Sequence, residues 1–110
     1  MAESELIIQS ILVTGTNVSF AVANDEGNYF VNDGKTWLRF FQEDVWHPTV
    51  TVHAQILCDE DVEHNQLIAV ASNNKTTDAG PFDTVKFNLN GYVHITYSGV
   101  SGLKVAAVKI

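Results

Sequence analysis

The sequence predicts an all-β protein: an antiparallel β-sandwich, immunoglobulin-like or jelly-roll-like, with about six to eight short strands. Three observations carry this. Hydrophobic residues recur with a period close to two along most of the chain, clusters of Gly, Asn, Asp and Ser interrupt them at short intervals, and no amphipathic helix is visible. The chain has 110 residues, 45% hydrophobic and 17% charged, which is enough apolar surface for a single domain over residues 1–110 with its own core.

Taken in order, Leu6-Ile7-Ile8 and Ile11-Leu12-Val13 flank Gln9-Ser10 as extended segments, and residues 14–17 read as a turn. Val18, Phe20 and Val22 alternate with small residues until the polar run 24–28. Tyr29-Phe30-Val31 is a short strand ending at Asn32-Asp33-Gly34, where aspartate and glycine tolerate left-handed backbone angles. Residues 36–41 form the next strand, in which the adjacent Phe40 and Phe41 must face opposite sides, one into the core and one toward a covering loop or solvent. Trp37 is a core candidate by the same alternation. A loop through Pro48 leads to the cleanest strand, residues 49–56, with valines on one face and threonines on the other.

Residues 59–63 are a polar loop and 66–71 an apolar run too short to nucleate a helix. Residues 72–81 read as a long connection of turn formers. The last third is two strands, residues 91–98 and 103–110, joined by Gly99-Val100-Ser101-Gly102, the second paired into a sheet through its end. Predicted core residues are Val50, Val52, Ile56, Val93, Ile95, Tyr97, Val105 and Val108. Val105 and Val108 differ in parity, so both are buried only if a bulge intervenes or both faces of the sheet are covered.

Composition narrows function. Thirteen acidic against six basic residues give a net charge of −7, which disfavours nucleic acid and anionic membranes, since both require cationic side chains. Met1 to Glu5 is acidic where a secretion signal is basic, and no apolar run approaches membrane-spanning length, so synthesis in a cytoplasm is expected. The single cysteine, Cys58, excludes an intrachain disulfide, and the following Asp59, Glu60 and Asp61 disfavour its thiolate. His47, His53, His64 and His94 lack zinc-ligand spacing, and residues 59–63 lack the glycine of a calcium loop, so no metal or other cofactor is expected. No nucleophile elbow, phosphate-cradling loop or other catalytic motif is present, so no catalytic residues are assigned. Trp46, in the loop 42–48 beside His47, stands out as an aromatic anchor for a partner. Phe82, following the Gly80-Pro81 corner, is the second candidate contact.

Three features together resemble small head-associated virion proteins of tailed bacteriophages. They are the turn Asn32-Asp33-Gly34-Lys35-Thr36 leading into Trp37-Leu38 and then Thr49-Val50-Thr51-Val52, the corner Gly80-Pro81-Phe82, and a C-terminal pattern from Val93 through Val108. The resemblance spans roughly residues 29–110 and departs from the pattern at residues 66–77. It implies a non-enzymatic capsid decoration (cement) protein whose partner is the major capsid protein, located on the capsid surface of the virion. Such proteins commonly sit at local symmetry axes, so a homotrimer is the expected assembly. Two other readings share the architecture: a carbohydrate-binding module using Trp46 with Tyr29 or Tyr92 as stacking platforms, and a tail or baseplate component.

Overall fold

A computed structural model of the chain describes residues 3–54 and 65–110. Among these residues the chain forms ten short strands and one single-turn helix, arranged as a β-sandwich. The strands are β1 (Ser4–Glu5), β2 (Ile8–Ser10), β3 (Ala21–Val22), β4 (Asn28–Val31), β5 (Trp37–Gln42), β6 (Thr49–Val52), β7 (Gln66–Ala69), β8 (Lys75–Ala79), β9 (Tyr92–Tyr97) and β10 (Leu103–Lys109). The helix α1 (Thr84–Phe87) starts at Asp83, whose carboxylate accepts from the Val85 N–H at 2.9 Å.

One sheet has the order β1-β4-β9-β6-β7 and the other β2-β10-β5-β8, with β3 also pairing with β10. Most pairs are antiparallel, as alternation predicts, but β1 runs parallel to β4 and β2 parallel to β10, so both sheets are mixed. The first extended segment therefore divides between the two sheets. The switch occurs at Leu6-Ile7, where Leu6 turns into the core and Ile7 faces solvent.

Alternation sets the core. In β5, Leu38, Phe40 and Gln42 point inward while Trp37, Arg39 and Phe41 are half-buried on the outer face. Phe40 is fully buried and Phe41 packs against Phe20 at 6.2 Å between ring centroids, so a loop residue covers the outward phenylalanine. Trp37 belongs to that outer face and not to the core cluster. Val50, Val52, Val93, Ile95, Val105 and Val108 are all fully buried, and Tyr97 packs half-buried against the core. Ile56 lies outside the described residues, as do Cys58 and residues 59–63.

No bulge is needed to bury both Val105 and Val108. Val105 and Ala107 face the core opposite Phe40 and Leu38; Ala106 and Val108 face outward opposite Arg39 and Trp37. All four are buried, so both faces of β10 are covered.

Three expectations give way. Residues 75–79, read as connection, form β8, an edge strand pairing with all but the first residue of β5. Its polar side chains suit an edge, and Arg39 grips it through two bonds to Asp78, 2.9 and 3.2 Å. Ile11-Leu12-Val13 is an exposed loop, and β10 ends at Lys109 with Ile110 in solvent. The Gly80 corner sits at φ +120°, and a Cβ there would come within 2.9 Å of Trp37 Cβ, so glycine is required.

Two buried asparagines tie distant segments together. Asn32 donates to the Phe82 carbonyl at 3.0 Å and to Asn88 Oδ1 at 2.8 Å, fixing the corner and the helix to the end of β4. Asn28 donates to the Ser4 carbonyl at 3.1 Å and accepts from the Asn24 N–H at 3.2 Å and from the Tyr97 hydroxyl at 2.6 Å. Burial pushes the Tyr97 phenol well above its ordinary value near 10.

Two outcomes follow from this packing. Ile95→Ala should cost about 2–5 kcal/mol in denaturant titration, through lost burial and the cavity left behind; a cost within the surface range would show that the site collapses. The Tyr97 phenol keeps its proton in the folded chain above pH about 10, where the unfolded chain loses it, so its contribution is complete below that pH and falls as pH rises further. Tyr97→Phe should cost about 1 kcal/mol at neutral pH, because Asn28 Oδ1 retains the Asn24 N–H, and should flatten the alkaline decline relative to wild type. An equally steep decline in the variant contradicts this assignment.

Candidate partner interface

The Trp46 side chain is presented by three loops that meet at one end of the sandwich, residues 43–48, 70–74 and 98–102. Their attachment begins inside the core. Gln42, the last residue of β5, is fully buried, and its Oε1 accepts from the Asp44 N–H at 3.1 Å, turning the chain out of the strand. Its Nε2 finds no acceptor among the described residues, a cost the loop geometry imposes. Asp44 then serves both neighbours. Its carbonyl accepts from the Asn73 N–H at 2.8 Å, and its carboxylate accepts from the Val45 N–H at 2.8 Å and the Ser101 hydroxyl at 3.3 Å.

The 98–102 turn is bound equally firmly. Glu43 N–H donates to the Gly102 carbonyl at 3.0 Å, and the Lys104 ammonium reaches the Glu43 carboxylate at 2.8 Å. Thr49 and Ser98 exchange two bonds of 2.9 Å, one through the serine hydroxyl. Asn73 and Asn74 take left-handed backbone angles, φ 66° and 59°, which asparagine tolerates better than other side chains. The 74 N–H closes the third loop onto the Gln42 carbonyl at 2.8 Å.

This bracing fixes the aromatic. The Trp46 ring lies over Gly99, where a Cβ would come within 2.5 Å of Cη2 and 3.2 Å of Cζ2 and Cζ3. Trp46 remains 40% exposed and its neighbour Val45 74% exposed, with His47 also on the surface and Pro48 buried beneath. The result is an apolar projection on a hydrogen-bonded base, rimmed by Glu43 and Asp44. An aromatic already held in place loses little rotamer freedom when a partner covers it, which is what makes tryptophan an effective anchor.

Phe82 is elsewhere and unavailable. It is 5% exposed and packs between Phe30 and Phe87 at centroid distances of 6.0 and 5.8 Å. The rigid corner turns it inward, so its role is packing, and the candidate contact reduces to Trp46 and His47 with Val45 added. Val45 carried no signal in the sequence, because a single aliphatic residue in a loop packs inward or outward alike and only the loop geometry turns it out.

Two other histidines are engaged separately, and His64 lies outside the described residues. His53 Nε2 lies 2.8 Å from Thr96 Oγ1, and His94 Nδ1 lies 2.9 Å from Glu3 Oε1. His94 also stacks on Tyr29 at 5.6 Å, and Tyr29 meets Tyr92 in a T-shaped contact at 5.4 Å. These rings share the outer face of the β4–β9 pair. His94 covers one face of the Tyr29 ring, and Tyr29 and Tyr92 are both half-buried. Compared with protein-family models, with curated proteins and with solved structures, the chain matches none. No helix among the described residues is long and apolar enough to cross a membrane.

Gly99→Ala should displace the Trp46 ring. Read in a Trp37→Phe background, the emission of Trp46 should shift to the red and be quenched more readily by acrylamide, while stability changes by less than about 1 kcal/mol because the indole swings into solvent. An unshifted spectrum would mean the turn, and not the ring, moves aside.

Proposed function

We propose that this chain is a structural virion protein, a capsid decoration or cement protein that binds the assembled shell through the major capsid protein and performs no chemistry. The observation that carries the reading is the Val45-Trp46 projection, an apolar anchor on a braced end of an acidic domain. The bacteriophage assignment rests on the resemblance of residues 29–110 to small head proteins, and the virion surface is the location it gives. Protein contact is favoured over sugar binding because the projection pairs Trp46 with the aliphatic Val45, which offers no stacking face to a sugar ring.

The proposed energetics are additive. A standard interface of about 800 Å² per partner yields a modest net gain per copy, which repeats over a lattice. Net charge −7 speeds encounter with basic patches on a shell, so the association rate falls as salt rises.

The test is to mix the purified protein with shells that lack it, count bound copies and record the shell's melting temperature. Saturable binding with a raised melting temperature is expected, and Trp46→Ala should weaken binding by about 30-fold or more while the variant still folds and melts cooperatively. Binding that leaves the shell's melting unaltered reduces the role to surface display. Absence of shell binding, with glycan-array retention that Trp46→Ala abolishes, replaces the proposal with sugar recognition.

A further inference from the structure

Residues 6–24 are the longest stretch of the chain without Asp, Glu, Lys or Arg, 19 residues bracketed by Glu3 and Glu5 before and Asp25 and Glu26 after. Much of this uncharged stretch is on the surface. It runs along one edge of the second sheet as β2, a wide loop and β3, leaving Ile7, Leu12, Val13 and Val22 at 75, 58, 106 and 72% exposure. The loop tip is a turn closed by the Gly15 N–H on the Leu12 carbonyl at 3.0 Å. The Thr16 hydroxyl accepts from the Leu12 N–H at 2.8 Å and donates to the Ser10 carbonyl at 3.2 Å. Leu12 and Val13 are thus held out as a shaped apolar knob.

The same edge contains a groove. β2 and β3 meet β10 end to end, β2 along Ala107–Lys109 and β3 along Lys104–Val105, with Ala106 at the junction. Between them opens a cavity of about 400 Å³ walled by Leu6, Ile7, Phe20 and Ala21 over Ala106, with Glu5 at its rim. The Gln9 side chain fixes its width, donating to the Ser19 carbonyl at 2.7 Å and accepting from the Ser19 N–H at 2.8 Å. An apolar cavity on the order of 150 Å³ holds a benzene-sized group, so this groove has room for two aliphatic side chains.

We propose that this edge is a contact between copies of this chain, the Leu12-Val13 knob of one copy seating in the groove between β2 and β3 of the next. Charge selects the occupant. Copies carrying −7 each repel, and they approach most easily through the face poorest in charge, where Glu5 is the one charged residue lining the groove. A basic partner would be drawn to the acidic surface and would gain no electrostatic advantage here. Knob and groove are different patches, so the contact is heterologous and either closes into a ring or continues as a filament. The Ile11 N–H bonds to the Lys109 carbonyl, which puts the knob at the far end of β10 from the Trp46 loops, so self-contact leaves that end open. The inference stands independently of the capsid reading.

The experiment is analytical ultracentrifugation of the purified full chain, without shells, from micromolar to millimolar concentration. Concentration-dependent association is expected, with Val13→Asp and Ala21→Trp each weakening it at least tenfold. Thermal melting should be unchanged in both; Ile7→Glu, at an exposed groove wall, is the second groove-blocking variant should Ala21→Trp fold poorly. Trp46→Ala should associate like wild type. The decisive arm mixes the two classes: Val13→Asp keeps an intact groove and the groove-blocked variant keeps an intact knob, so together they form a 1:1 dimer and nothing larger. A wild-type chain monomeric at millimolar concentration overturns the proposal. So does association that survives the substitutions, or a mixture that stays monomeric.

Discussion

The structure depends on burying β10 on both faces. A strand covered on one side tolerates any polar residue on the other, but β10 carries Leu103, Val105 and Ala107 inward and Ala106 and Val108 outward, with every one buried. Along its edges, β5 pairs on one side while β2 and β3 divide the other. Three strands of the second sheet therefore have their places fixed directly by the final segment of the chain. β2 and β3 complete their pairing only when β10 is present, which ties formation of that sheet to contacts of high sequence separation, a topology that folds slowly.

The same dependence explains the polar hubs. Asn28 links Ser4, Asn24 and Tyr97, and Asn32 links Phe82 and Asn88, so a buried amide at each end of β4 ties it to segments distant in sequence. Buried amides of this kind are stable because nearly all of their bonding capacity is met. Gln42 is the counter-example, a buried amide with an unanswered donor, and it lies at the base of the loop that presents Trp46.

What was legible in the sequence were strands with one buried face. β4, β5, β6 and β9 show period-two alternation, and the opposed fates of Phe40 and Phe41 follow from it. β8 was not legible, because an edge strand needs no apolar stripe and Lys75 to Ala79 has the composition of a turn. The division of the N-terminal segment between two sheets was hidden for a different reason. Leu6-Ile7-Ile8 is uniformly apolar, and nothing local records that the chain crosses from one sheet to the other between β1 and β2. At the candidate interface, Trp46 could be identified as a loop aromatic, but its seat on Gly99 joins residues far apart in sequence, and Phe82 behind a rigid corner reads alike whether it points in or out.

The parallel pairing of β2 with β10 also fixes how the fold responds to force. Tension applied at Ser10's strand toward its beginning and at Lys109's strand toward its end slides the two past one another along their length. Every bond between Ile8–Ser10 and Ala107–Lys109 then carries load simultaneously, whereas an antiparallel pair pulled open from one end would release its bonds singly. With β1 placed likewise against β4, the leading segment is held by one parallel pair in each layer.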